Sequence, residues 1–294
     1  MNAGDAAWPA TALRDALGGD ATRDAWHLVE LGSVGSTQDK ALHIVHEIGS
    51  LRDRWLVVRA EHQVAGRGRG GKAWLDAPGA SLLVTVAAEL PAPAERWPLA
   101  SLVAGAALAA ALRESTGATV AMKWPNDLLL VHDGAWRKLG GCLAERRERS
   151  GAAPVWLFGF GVNLERGGFP ASIADDLAFV SDTRPLGQPS SLAAPDLLAR
   201  LLLAVRVSMR RWQARGFRLD LEALQAQLAF VGCEVTLALD DRGATTSGHL
   251  LGIDDDGRLR LGDATGRERA WLPISVLDAK SSPPWHAPAP RMRT

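Results

Sequence analysis

Cysteine is scarce in this chain: only Cys142 and Cys233 occur, far apart and with no CxxC or histidine spacing beside them. A metal finger or a disulfide framework is thereby excluded. Net charge is also missing, because 33 basic residues cancel 33 acidic ones. That balance excludes a generally basic nucleic-acid binder, though not a local basic patch. No apolar run reaches the length of a membrane span; the most apolar stretch, Leu99 to Leu112, is too short and mostly alanine. The first 25 residues carry Asp5, Arg14, Asp15 and Asp20 and lack the basic-then-apolar pattern of a signal peptide. The expectation is a soluble, cytoplasmic protein with neither membrane nor nucleic acid among its partners.

Tyrosine is absent, and five lysines stand against 28 arginines. In a chain that otherwise uses arginine for positive charge, each lysine marks a place where a slim point charge replaces a planar fork. What the chain does have is length and apolar content: 294 residues at 47% hydrophobic suffice for one large domain, or one with a small appendage.

Residues 1–25 read as a leader, with one or two helical turns over Thr11–Leu17 stopped by Gly18-Gly19-Asp20. Trp26–Val34 alternates like a half-buried strand, and Gln38–Ile48 reads as a helix with Leu42, Val45 and Ile48 on one face and a cap at Ser36. Strands are expected at Arg54–Glu61, Ala80–Ala88, Thr119–Lys123, Leu128–His132, Arg137–Glu145 and Val155–Asn163. Alanine and leucine make Leu99–Glu114 a buried helix. Gly167–Pro195 is loop-rich. Asp196–Arg215 is a second long helix capped by Asp196, and Leu221–Phe230 a short one. After Gly232 the texture changes to short strands broken by Asp/Gly turns: Glu234–Leu239, Thr246–Ile253, Arg258–Leu261 and Arg269–Leu272. These suggest a mini-barrel. The tail 281–294, with four prolines, reads as disordered. The fold class is α+β, a mixed sheet with helices packed on it, followed by a small β-module.

Gly66-Arg67-Gly68-Arg69-Gly70-Gly71-Lys72-Ala73-Trp74 fits two well-known patterns by accident. G-x-G-x-x-G needs a helix opening at the loop and an acidic residue about 20 positions on; here Leu75-Asp76-Ala77-Pro78-Gly79 and a strand follow. The P-loop needs a magnesium-binding hydroxyl where Ala73 stands. At face value, glycines let the backbone approach a ligand, and Arg67, Arg69 and Lys72 supply charge for phosphate and carboxylate oxygens. A flexible surface turn is the plainer alternative. If the loop is functional, it is expected to order on an anion.

The loop is one of an ordered series. Ser36-Thr37-Gln38, Ala60-Glu61-His62-Gln63-Val64-Ala65 running into the loop, Lys123-Trp124-Pro125-Asn126-Asp127, Lys138-Leu139-Gly140-Gly141 and Gly159-Phe160-Gly161-Val162-Asn163 follow one another. Over about residues 27 to 275 this series resembles the biotin protein ligases. The resemblance implies a biotin- and ATP-binding catalytic domain (26–231) related to class II aminoacyl-tRNA synthetases and an SH3-like domain (232–280). It also implies two chemical steps. The biotin carboxylate attacks the α-phosphate of ATP, with Mg²⁺, to give biotinyl-5′-AMP. A lysine of a biotin carboxyl carrier domain, from acetyl-CoA carboxylase or a related carboxylase, then attacks the activated carbonyl. Both steps need charge stabilisation more than an enzyme nucleophile.

By the same resemblance Ser36, Thr37, Gln38 and Gln63 meet biotin, although Gln38 departs from the family's common asparagine and all of these residues also suit a helix cap or strand end. Arg67, Gly68 and Arg69 clamp the carboxylate and adenylate, with Gly66, Lys72, Trp74, Lys123, Asn126 and Asn163 on the nucleotide. Gly70 and Lys72 stand where arginine is common. Lys138, Arg69 and Asp127 are the catalytic candidates, Lys138 being read as an ammonium buried among apolar strand residues, and Asp127 as suited to a metal or the incoming amine. Any magnesium is expected to ride mainly on the phosphates. Gly140, Gly141, Gly159 and Gly161 are expected to let a flat ligand lie close to two strands, and Cys142 to be a small buried apolar residue. Competing readings are a lipoate or octanoate ligase or transferase of the same fold, and a biotin-sensing repressor. The repressor needs an N-terminal helix-turn-helix for which the leader has no basic recognition helix. A monomer or weak homodimer is expected.

Overall fold

The computed structural model describes residues 11–18, 25–90, 97–183, 193–215, 221–239, 242–272 and 278–281. The start of the leader and the proline-rich tail after Ser281 lie outside the described residues. Seven strands form the main sheet: β1 (Trp26–Val34), β2 (Trp55–Gln63), β3 (Ser81–Glu89), β4 (Val120–Lys123), β5 (Asp127–His132), β6 (Ala135–Arg149) and β7 (Ala152–Asn163). Their order is β1-β2-β3-β7-β6-β5-β4. Only β1 and β2 run parallel, because the link between them is a crossover helix.

That helix, α2 (Thr37–Ile48), covers one face of the sheet; α1 (Ala12–Ala16), α3 (Trp97–Thr116) and α5 (Ala194–Ala214) cover the other, and a one-turn α4 (Ala171–Ala174) follows β7. Strands buried on both faces read as continuous apolar runs. Thus Trp55 and Val57 join the α3/α5 core while Leu56 and Val58 pack under α2. Helix α3 rides close to the sheet because Gly105 leaves room: a Cβ there would lie 2.8 Å from Met122 Sδ. The five-residue α1 is too short to hold as an isolated helix. It is fixed by Leu13 and Leu17, buried against the core shared with α5, each such side chain stabilising by roughly 1.5–3 kcal/mol.

Two helix readings need correction. The buried side of α2 is Thr37, Gln38, Ala41, Ile44 and Val45, whereas Ile48 is 43% exposed. The helix starts at Thr37 and aims its first turn at the sheet, which turns the buried stripe away from Ile48 and leaves Leu42 half-buried at its edge. Asp196 is no cap: α5 begins at Ala194 with Ala193 at the N-cap, so Asp196 sits inside the first turn, where its charge favours the helix dipole.

Edge strand β4 is covered by a strip of chain after α6 (Leu221–Gln225): Met122 N–H donates to Gln227 O (2.6 Å), and Ala229 N–H to Met122 O (2.9 Å). The expected short helix therefore stops at Gln225 and gives way to an extended contact. Beyond it, β8 (Glu234–Ala238), β9 (Thr245–Ile253), β10 (Leu259–Gly262), β11 (Glu268–Trp271) and β12 (Asp278–Ser281) form an antiparallel sheet of order β11-β10-β9-β8-β12. Among the described residues this sheet is open, with β11 and β12 unpaired to each other. Its Val235, Leu237, Leu250, Ile253, Leu259 and Leu261 belong to the same buried cluster as the main sheet. No helix among the described residues is long and apolar enough to cross a membrane.

Candidate active site

Ser36 and the first turn of α2, the end of β2 with the loop after it, Val84 of β3, the β4–β5 turn and the middle of β6 and β7 surround a cavity of about 320 Å³. Ser36, Thr37, Gln38, Gln63, Arg67, Gly68, Arg69, Lys72, Trp74, Lys123, Asn126, Asp127 and Lys138 all line it. Gly66 and Asn163 do not.

One end is polar and uncharged. Ser36 has the extended backbone of an N-cap, but its hydroxyl makes no capping bond. Thr37 donates from both its backbone N–H (2.7 Å) and its hydroxyl (3.0 Å) to Gln63 Oε1, and Thr85 Oγ1 donates to Thr37 Oγ1 (2.9 Å). The strand end at Gln63 is thereby tied to the first turn of α2. Gln38 donates to Leu143 O (3.2 Å), and its amide lies over Gly159, where a Cβ would meet Gln38 Cδ at 3.1 Å.

The glycine-arginine loop is a hairpin. Trp74 N–H donates to Gly66 O (2.9 Å) and Gly68 N–H to Lys72 O (2.7 Å), while Gly70 and Gly71 take positive φ at the tip, where a side chain would be strained. Both bonds are internal to the loop. Arg67 is exposed and faces Asp39 (2.7 Å) and Glu145 (3.7 Å); Glu145 also pairs with Arg147 (2.7 Å).

Behind the hairpin the Trp74 indole lies flat on Gly161. A Cβ at Gly161 would fall 2.2 Å from the ring, and one at Gly141 3.7 Å from it. The flat group accommodated by these two glycines is therefore the protein's own tryptophan. Gly159 accommodates Gln38, and Gly140 accommodates the next strand's backbone, since a Cβ there would lie 2.3 Å from Gly161 O.

The other end is charged. Lys138 Nζ stands 2.8 Å from Asp127 Oδ1 and 5.7 Å from the Trp74 ring centre; Lys123 Nζ is 3.6 Å from Asp127 Oδ2. The Lys138 side chain is 40% exposed, so the expected buried ammonium is instead a cation on an open cavity wall. An ammonium is strongly hydrated, and this exposure leaves it open to solvent. Asp127 is the one carboxylate on the wall. The turn Lys123–Asn126 holds a cis Trp124–Pro125 peptide and is closed by Asn126 N–H to Lys123 O (3.1 Å), which leaves the Asn126 side chain facing the cavity. Asn163 is buried. It donates its amide to Ala178 O (3.3 Å) and Lys138 O (3.4 Å), holding the segment after β7 against β6 rather than facing the cavity.

Cys142 shares the wall, but burial, reinforced by the charge of Asp127, pushes its thiol up to about 12, so it is no nucleophile near neutral pH. Among the described residues no cluster of three or more His, Cys, Asp or Glu side chains could hold a metal ion. The arrangement can seat a ligand with a neutral hydrogen-bonding end and an anionic end and can stabilise charge developing there; it offers no nucleophile of its own. Reading by motif missed Thr85, the Asp39 and Glu145 partners of Arg67, and the pairing of His62 with Asp76. None of these lies within a motif by virtue of its own chemistry.

Residues 33–163 match the family described as Biotin/lipoate A/B protein ligase family. The biotin–[acetyl-CoA-carboxylase] ligase of Mycobacterium tuberculosis is 33% identical over 72% of this chain and 74% of its own length. Its counterpart in Paracoccus denitrificans is 31% identical over 81% of this chain and 95% of its own. The biotin protein ligase of Aquifex aeolicus, solved with biotin and ATP, has the same fold: TM-score 0.68, 22% identity, covering 87% of this chain and 99% of that one. The chain belongs to this family, among its biotin protein ligases.

Proposed function

We propose that this chain activates biotin with ATP to biotinyl-5′-AMP and transfers the biotinyl group to one lysine of a biotin carboxyl carrier domain, that of acetyl-CoA carboxylase or a related carboxylase. The observation that carries the reading is the cavity's division. A neutral, hydrogen-bonding end at Thr37, Gln38 and Gln63 suits the ureido ring, and a cationic end at Lys138, Lys123 and the hairpin suits carboxylate and phosphates. Lys138 neutralises the biotin carboxylate as it approaches the α-phosphate and then the charge that builds there; Arg69 and Lys72 close over the phosphates. Asn126 faces the adenylate. Trp74, already on Gly161, offers an aromatic face beside it. With a single wall carboxylate at Asp127, the residues fit a Mg²⁺ that enters on the phosphates, as that ion commonly does. Magnesium would add positive charge at the transferring phosphoryl. Asp127 meanwhile holds Lys138 in place and is positioned to receive a proton from the acceptor amine.

The C-terminal sheet is read as an SH3-like module of about residues 232–280, packed behind a catalytic domain of 26–231. The cell compartment is read as cytoplasm, and the chain as a monomer or weak homodimer without nucleic acid or membrane partners. Incubating the chain with biotin, ATP, magnesium and a carrier domain should add one biotinyl mass to the acceptor. Lipoate or octanoate in place of biotin should not. Modification with lipoate alone would overturn the reading in favour of the lipoate branch of the family.

A further inference from the structure

His62 and Asp76 stand at the two stems of the cationic hairpin, one next to the end of β2 and the other where the chain returns toward β3. Their side chains meet at 2.9 Å, Nδ1 to Oδ2. The Asp76 side chain is 1% exposed, and its second oxygen is buried without a hydrogen-bond partner among the described residues. His62 is a third exposed. Just beyond, Gly79 N–H donates to Glu61 O (3.0 Å), so the returning chain is also pinned to β2 next to the pair.

A carboxylate buried with one partner is costly, and an apolar residue would fill the same space without that penalty. Packing alone therefore gives no reason for Asp76. Its geometry does: the bond to His62 is directional and joins the two ends of the only segment that brings Arg67, Arg69 and Lys72 to the cavity. His62 also directly precedes Gln63, whose side chain, on the alternate face of the strand, accepts both bonds from Thr37. One short stretch thus sets the neutral end of the cavity with one residue and the hairpin over the charged end with its neighbour.

We propose that His62 and Asp76 are a positioning pair that latches the hairpin stems and holds its cations over the cavity; neither touches substrate. What those cations bind rests on the ligase reading. The latch itself does not, because the hairpin carries its own reporter: Arg67, Arg69 and Lys72 are trypsin sites.

The test is limited trypsinolysis of the full chain, with cuts between residues 67 and 72 counted by mass spectrometry, alongside ATP kinetics. Loss of a hydrogen bond to a charged group in His62→Ala should speed cleavage there about tenfold and raise KM for ATP by a similar factor. His62→Asn, whose amide nitrogen occupies the place of Nδ1, should restore both. The double variant His62→Leu/Asp76→Leu removes the pair without leaving a buried orphan, so it should melt near the wild-type temperature. It should still be cut fast and bind ATP weakly, which a purely structural role would not produce. Wild-type cleavage rates in His62→Ala or in the double variant would overturn the proposal, as would an asparagine variant as impaired as the alanine one. Because trypsin reads the hairpin without turnover, a wild-type chain that fails to biotinylate would sink the ligase reading while leaving this result standing.

Discussion

Replacing Lys138 by alanine separates stability from chemistry. In the folded chain Lys138 Nζ sits 2.8 Å from Asp127, but the lysine side chain is 40% exposed. A pair so open to solvent contributes about 0–1 kcal/mol to folding. Asp127 is also not left alone, since Lys123 remains 3.6 Å away. A loss of about 1 kcal/mol corresponds to a melting shift of roughly 2–4 °C in a chain of this size. The catalytic cost is of another order. Removing one preorganised group from the place where charge develops lowers turnover on the order of 10²–10³-fold, about 2.7–4 kcal/mol. Pyrophosphate release with biotin and ATP, run beside thermal melting, measures both. Lys138→Arg should recover part of the activity, because it restores charge but not the slim geometry. Adenylate formation by Lys138→Ala within about threefold of wild type would mean that less than 1 kcal/mol of the barrier depends on this ammonium, and the assignment would fail.

Gln63→Ala removes the acceptor of two Thr37 bonds and leaves a backbone N–H in search of a partner; biotin should bind about tenfold more weakly by calorimetry, and an unchanged Kd would dismiss Gln63 as a wall-forming residue. Gly140→Ala places a methyl 2.3 Å from the backbone oxygen of Gly161, which cannot swing away, so stability should fall by about 1–3 kcal/mol in a denaturant titration. Burial alone would raise the pKa of Glu89, but bonds from Arg149, the Leu51 N–H and Ser50 outweigh it and hold the carboxyl below its ordinary value of 4.5. Its stabilising contribution is therefore complete above the unfolded value and is lost as pH falls through the lower folded one. Melting temperature should drop on acidification below about pH 4.5, and Glu89→Gln should make that acid limb shallower; an identical limb in both proteins would count against the assignment.

Much of the fold was readable because strands buried on both faces announce themselves as apolar runs. Arg54–Glu61 and Ala80–Ala88 fall within two residues of β2 and β3. The errors have physical causes. The face of α2 was misjudged because Thr37 and Gln38, polar in sequence, point inward to the cavity. Asp278-Ala279-Lys280-Ser281 is short and carries little apolar alternation, so β12 went unread; it exists through its pairing with β8. Site residues within motifs mostly converge on one cavity, because strand ends and tight turns bring them there. Asn163 shows the limit: a motif asparagine at a strand end spends its amide on two carbonyls of a neighbouring loop. Lys138 shows another, since scarcity of lysine in the chain says nothing about how open its wall will be. His62 and Asp76 lie 14 positions apart, and nothing in either neighbourhood tells that a hairpin will close them together.

The Trp124 indole N–H donates to Gly257 O in the β9–β10 turn at 3.1 Å, and Trp124 itself lies in the turn that presents Asn126 and leads into Asp127. For anyone wishing to shrink this enzyme, or to graft its C-terminal module onto another scaffold, that single stitch is a warning. The distal sheet thus touches the turn at the charged end of the cleft, and trimming it would strip that turn of a bond to its neighbour.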